Sequence, residues 1–322
     1  MLRYLLLLAA FAGPAGAQTP LKVKLFPGAH ALPAMSAASQ GFFARQGLKV
    51  EVLVTSSSDE QRSGLAKGDF QIAQAAIDNA VAMVELAKQD VVIVTGGDSS
   101  LNEFIVQPDI RSFADLKGQT LLVDAPNTAY ALQLKKILLN NGLREGTDYK
   151  ILPIGGTGLR LRGLKENKDN KGAMLYPPFS LEAKAIGLKS MGRAVDLIGP
   201  YQATGTFVLR KWGEANRDTL ERYIAALIEG NRWAMSPANK DAAVALLADR
   251  LKISPEIAAQ SWKLMTEPNF GITPDARFDM AGFRNVLALR AEIEGSWGGK
   301  APPPERYVDL SYYQNALKRL AP

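Results

Sequence analysis

The constraint that most narrows the fold is an alternation of short apolar strands with helices that breaks twice. Residues 21–26, 48–54, 70–75 and 91–95 read as strands, separated by helical segments at 34–45, 59–67 and 79–88. Residues 48–54 alternate apolar and polar side chains, as a strand with one solvated face does. Residues 91–95 form a continuous apolar run of the kind that a parallel sheet buries on both faces. The rhythm then stops at a lone extended piece, 104–106, which ends at Pro108. A second series begins at Thr120, with strands at 120–124, 149–154 and 173–176 and helices at 128–141 and 159–166. A further apolar piece, 195–199, and a second lone strand, 205–209, follow, and the remainder is helical. Alternating β and α elements imply mostly parallel sheets covered on both faces. In the helical remainder, Leu220, Tyr223, Ile224, Leu227 and Ile228 keep the i, i+3, i+4, i+7 spacing of a buried helix face. Ser254-Pro255-Glu256 has the form of an N-cap followed by proline at the first helical position.

In an open α/β sheet, ligands bind outside the carboxyl ends of the strands, where helix N-termini present free N–H groups. The loops at that edge are short, small and polar. In the first series they are Pro27-Gly28-Ala29-His30, Thr55-Ser56-Ser57-Ser58 and Ala76-Ile77-Asp78-Asn79. In the second they are Asp124-Ala125-Pro126-Asn127-Thr128, Gly155-Gly156-Thr157 and Tyr176-Pro177-Pro178. Each loop by itself also fits capping or turn chemistry. Together they place neutral donors and aromatics at one edge of both sheets, which suits a binding cleft. The expected ligand-binding residues are His30, Ser57, Ser58, Asn79 and Thr204 from the first series and its return, and Asn127, Thr128 and Tyr176 from the second.

Composition removes several other classes. The chain has 322 residues, no Cys and a single His. That excludes disulfides, thiolate nucleophiles and Cys-ligated or multi-histidine metal sites, so no metal and no cofactor are expected. A serine triad would depend on His30 alone, which lacks an obvious partner. Gly156-Thr157-Gly158-Leu159-Arg160-Leu161 begins like a dinucleotide fingerprint, but Leu161 replaces its third glycine. No P-loop lysine, nucleophile elbow or HExxH occurs. The net charge of +6 comes from scattered Lys and Arg, which reads as a solvated surface and not as a nucleic-acid site. Residues 1–17 read as a cleavable leader: Arg3, an apolar run over 4–11, a break at Gly13-Pro14, and the small-residue motif Ala15-Gly16-Ala17. Export to the periplasm without a lipid anchor is expected, since no Cys follows the apolar run.

Six stretches carry a resemblance to a known family. They are GFFARQGLKVEV (41–52), GLAKGDFQIAQAAIDN (64–79), DLKGQTLLVDAPNTAYA (115–131), YPPFSLEAKAIG (176–187) and the pair FIVQ (104–107) and TGTFVLR (204–210). In this order and spacing they resemble the periplasmic substrate-binding proteins of ABC importers, in the branch of nitrate, sulfonate, taurine and thiamine-pyrimidine-precursor binders. The resemblance implies a two-lobed, type II periplasmic-binding-protein fold with two mostly parallel sheets joined by two hinge strands. It places 18–105 and 204–322 in one lobe and 106–203 in the other, with Gly205 beside a hinge or in a simple turn. It also implies a monomer that captures a small molecule by hinge closure and delivers it to an inner-membrane permease, without catalysis. The ligand is either an anion such as a sulfonate or carboxylate, or an aromatic or heterocyclic molecule near Tyr130, Tyr176 and Tyr201. Arg160 is the best-placed basic residue, although its position also fits a solvated helix face. A periplasmic sensor and an enzyme on the same fold remain as alternatives. The cysteine-rich motif of the related eukaryotic thiamine-pyrimidine synthases has no counterpart in a chain without Cys.

Overall fold

The structure, a computed structural model, describes residues 17–268 and 270–321. The leader expected at 1–17 lies outside them except for Ala17. Among these residues ten strands form two sheets. β1 (Thr19–Leu25), β2 (Leu48–Val54), β3 (Ile72–Ala76), β4 (Val91–Thr95) and β10 (Thr204–Leu209) make the first, in the order β2-β1-β3-β10-β4. β5 (Glu103–Val106), β6 (Thr120–Val123), β7 (Lys150–Pro153), β8 (Asn170–Leu175) and β9 (Lys189–Arg193) make the second, in the order β7-β6-β8-β5-β9.

The two lone strands of the sequence explain this topology. β5 pairs antiparallel with β8, Glu103 opposite Leu175, and β10 pairs antiparallel with β3, Thr204 opposite Ala76. Each lone strand thus enters the sheet of its lobe against the direction of its neighbours, and the chain crosses between lobes just before each one. The crossings are residues 96–102 and 199–203. They run side by side, with the Ala203 amide donating to the Asp98 carbonyl at 3.0 Å. The lobe boundary expected between 105 and 106 falls inside β5, all of which pairs in the second sheet. β5 and β10 are therefore sheet members, and the connections lie in the loops ahead of them.

Packing follows the patterns read from the sequence. The helix Arg217–Met235 turns Leu220, Tyr223, Ile224, Leu227 and Ile228 onto the first sheet, where they meet Leu21, Val23 and Leu25. Each such side chain contributes about 1.5–3 kcal/mol by leaving water. A second cluster covers the other face of that sheet, around Phe207, Phe283 and Tyr307. Clusters around Phe104 and Leu138, and around Ile105 and Leu164, cover the two faces of the second sheet. No helix among the described residues is long and apolar enough to cross a membrane.

Candidate functional site

The carboxyl ends of the strands of both sheets face one another across a cleft. Its walls enclose about 400 Å³ of empty space, the open mouth included. From the first lobe come Phe26 and His30 after β1, Ser58 after β2, Ala75, Ala76 and Asn79 at the end of β3, and Thr204 at the start of β10. From the second come Asp124, Thr128 and Tyr130 after β6, Gly156, Thr157 and Arg160 after β7, and Tyr176 after β8. The antiparallel direction of β10 is what brings its first residue, Thr204, to the edge where parallel strands end.

The cleft therefore gathers His30, Ser58, Asn79, Thr128, Tyr176 and Thr204 from the expected set. Two expected residues face elsewhere. Ser57 is the N-cap of the helix Ser58–Lys67, its hydroxyl accepting from the Glu60 amide at 3.2 Å. A serine just ahead of a helix satisfies a free N–H more readily than it reaches a ligand. Asn127 lines an outer groove with Asp59, Arg62 and Leu86, and its carbonyl accepts from Arg290 Nη2 at 3.0 Å. Of the expected aromatics, Tyr130 and Tyr176 line the cleft, while Tyr201 packs into the core of the first lobe.

Arg160 is not on a solvated helix face. It is 1% exposed, and its guanidinium donates to the carbonyls of Gly155 at 2.8 Å and Met174 at 3.1 and 3.3 Å and to Thr157 Oγ1 at 2.9 Å. Burial lowers its pKa, and the nearby Asp124 carboxylate opposes that shift. The periodicity of a single helix turn does not show that the loop before it and β8 fold over the side chain. A purely neutral lining is also not what forms, because Asp124 and Arg160 both contribute to the wall.

Tyr176 sits at the centre of the aromatic wall. Its ring meets His30 edge-on at 4.9 Å and lies 5.9 Å from both Tyr130 and Phe179. Burial between the lobes raises the phenol to about 12, and its hydroxyl donates to the Pro27 carbonyl at 3.2 Å. Burial holds the His30 imidazole below its ordinary pKa, with Asp98 opposing, so the ring is neutral at pH 7. Opposite it, Ser58 donates to Asp124 and accepts from Asn79 Nδ2 at 3.4 Å. That leaves Asn79 Oδ1 buried and unpartnered among the described residues. Buried acceptors of this kind normally have partners, so the atom marks a place where a donor from a solute is expected.

The lobes touch directly at the mouth. The Gly156 amide donates to the Ser56 carbonyl at 2.8 Å, and the Ala29 amide to the Pro177 carbonyl at 3.0 Å. Behind the cleft, Arg290 holds Asp78 through Nε at 2.8 Å and Nη2 at 2.6 Å and reaches across to Asn127. Among the described residues no cluster of His, Cys, Asp and Glu could hold a metal ion.

Sequence and structural comparisons agree with this architecture. The NMT1/THI5-like family matches residues 29–240, and the chain belongs to that family. No curated protein matches it by sequence. The periplasmic nitrate-binding protein NrtA of Synechocystis PCC 6803 superimposes with a TM-score of 0.78 at 15% identity, covering 94% of this chain and 89% of NrtA. The alkanesulfonate-binding protein SsuA of Xanthomonas axonopodis pv. citri, bound to MOPS, gives 0.73 at 13%, covering 91% and 99%. The desulfurization enzyme DSZB gives 0.66 at 17%, covering 94% and 100%. At such identities the likeness is one of fold: two mixed sheets flanked by helices, as in periplasmic binding proteins.

Proposed function

We propose that this chain is the solute-binding component of an ABC-type importer, exported to the periplasm by its leader and working as a monomer. It captures a small organic molecule between the lobes, closes on it by rotation about residues 96–102 and 199–203, and presents it to an inner-membrane permease. The observation that carries the reading is the division of the cleft wall: each lobe supplies polar and aromatic groups, so a bound solute touches both. Only a solute with more affinity for the closed form can shift an open–closed equilibrium. The family and the binding proteins that share the fold support the same assignment.

Of the two ligand classes, a planar aromatic or heterocyclic molecule fits the wall better than a small anion. Arg160 directs four of its five N–H donors to Gly155, Thr157 and Met174, whereas Tyr176, Tyr130 and His30 present ring surfaces and Asp124 presents a carboxylate. Native mass spectrometry of protein purified from the periplasm tests the assignment. A small-molecule adduct released on denaturation is expected; a bare polypeptide mass contradicts it. DSZB shows that the fold also serves an enzyme. Incubating the released molecule with the protein and recovering it unchanged separates capture from turnover.

A further inference from the structure

A second chamber opens off the cleft, of about 400 Å³ with its mouth included, and it shares His30, Ala75 and Thr204 with the first. Every side chain that lines it comes from the first lobe: the turn after β1, the end of β3, the start of β10, and the helices and loops packed over them, while Gly96 and Gly97, the first residues of the crossing after β4, add backbone alone. Its side chains therefore stay together whether the lobes are open or closed. Among the described residues no charged side chain lines it. Its polar groups are Gln74, Thr204, Thr206, Asn231 and the neutral His30.

The Thr204 hydroxyl is engaged by Asp98, donating to its carboxylate and accepting from its amide at 3.1 Å, but Thr206 and Asn231 have capacity to spare. Thr206 is 0% exposed and accepts from Gln74 Nε2 at a long 3.5 Å, which leaves its own proton to donate. Asn231 is 2% exposed and donates Nδ2 to the Thr273 carbonyl at 3.0 Å, which turns Oδ1 into the acceptor it can offer. Pro33, Leu227 and Ile272 complete the walls with apolar surface. Fixed donors and acceptors on an apolar wall hold a group that can both give and take a hydrogen bond. An anion would lose its hydration without finding a countercharge, and would face the buried Asp98 carboxylate behind Thr204, which costs far more than one unmade hydrogen bond.

We infer that this inner chamber is a subsite for an uncharged amide or hydroxyl end of an elongated solute, whose ring-bearing end lies in the outer cleft against Tyr176. The inference rests on the binding-protein reading and adds to it. The first lobe holds one end of the solute by itself, so the open form binds before closure and the length of the solute is selected there.

Acetamide and acetate are suitable probes, because they match in size and differ in charge. Each is titrated into the ¹⁵N-labelled protein while amide shifts are followed. Acetamide is expected to move the amides of Gly96, Gly97, Gly205 and Thr206 and to bind about tenfold or more tightly than acetate, a ratio set by one hydrogen bond plus the desolvation of a charge. Thr206→Val, which keeps the shape of the side chain, is expected to weaken acetamide several-fold with the fold intact. Equal shifts from both probes, shifts confined to the outer cleft around Asp124 and Thr157, or no shifts at all would overturn the subsite. Because neither probe is the natural solute, these outcomes stand apart from the mass-spectrometric test: a loss of the subsite leaves the capture function in place, and the reverse holds too.

Discussion

Arg160 shows how far a residue's role can differ from what its sequence position suggests. With its donors bound to three main- and side-chain partners, it braces the loop after β7 against β8 and only lends its charge to the cleft. Arg160→Met should leave the carbonyls of Gly155 and Met174 unpaired and cost about 1–3 kcal/mol of stability, read as a lower urea midpoint; an unchanged midpoint contradicts the bracing role. His30 makes a different prediction. Its folded pKa lies below the unfolded value near 6.5, so acid protonates the unfolded chain first. Stability should be intact above about pH 6.5 and fall as the pH drops toward the folded pKa. His30→Asn should flatten that part of the profile in thermal melts taken between about pH 7 and pH 5. At the cleft itself, Tyr176→Ala should weaken the captured solute several-fold by removing the central ring. Asn127→Ala should leave affinity within about twofold, because that side chain faces outward. Calorimetric titration with the released solute decides both. The loops that form the site could be read from the sequence, since strand–helix alternation fixes which loops share an edge. Which side chain in each loop turns inward could not, because capping took Ser57 and packing of the second lobe took Arg160.

At the level of elements, the alternation located most strands to within a residue or two, and β2 and β4 at their observed bounds. β9, Lys189–Arg193, was not legible: KSMGR has no apolar alternation, and as an edge strand it needs none. Residues 195–199, apolar but short, form a helix, Ala194–Ile198, and not a strand. The two lone strands were visible, yet their antiparallel insertion was not, because direction within a sheet depends on partners distant in sequence. The loops at the mouth carry a further device. A Cβ on Gly28 would lie 2.3 Å from Tyr176 Cε2 of the opposite lobe, and one on Gly156 would lie 2.9 Å from the Ser56 carbonyl oxygen. Each lobe thus offers a bare backbone site on which the other closes. Neither glycine has a positive φ that an alanine would strain, with Gly28 at 167° and Gly156 at −59°. A Cβ on Gly28 would also lie 2.9 Å from the His30 ring of its own lobe, whereas the nearest atoms to one on Gly156 all belong to Ser56 of the opposite lobe. Gly156→Ala should therefore fold normally and bind the captured solute about tenfold or more weakly, because the steric cost falls on the closed form. An affinity equal to that of the unaltered protein would show that the contact at Ser56 does not limit closure.

For the whole molecule, the proposed closure is a balance. Direct contacts at the mouth, the Arg290 bond to Asn127 and the surface pairs Lys136–Glu292 at 2.6 Å and Lys135–Glu294 at 3.3 Å favour the closed form. The exposed pairs contribute little each, about 0–1 kcal/mol, and salt screens them. The solute has to supply the rest, and a swing from 1:99 to 99:1 takes about 5.5 kcal/mol of preference for the closed form. With the solute held on the first lobe, where Asn79 Oδ1 can take a donor, an aromatic contact at Tyr176 and a bond to Asp124 are the interactions gained only when the second lobe reaches it. Small-angle scattering tests this most directly. Protein stripped of solute by unfolding and refolding is measured alone and after the released solute is returned. The account predicts a smaller radius of gyration with solute bound, the two lobes drawing together about residues 96–102 and 199–203. The same radius in both states, with the solute demonstrably bound, would contradict it.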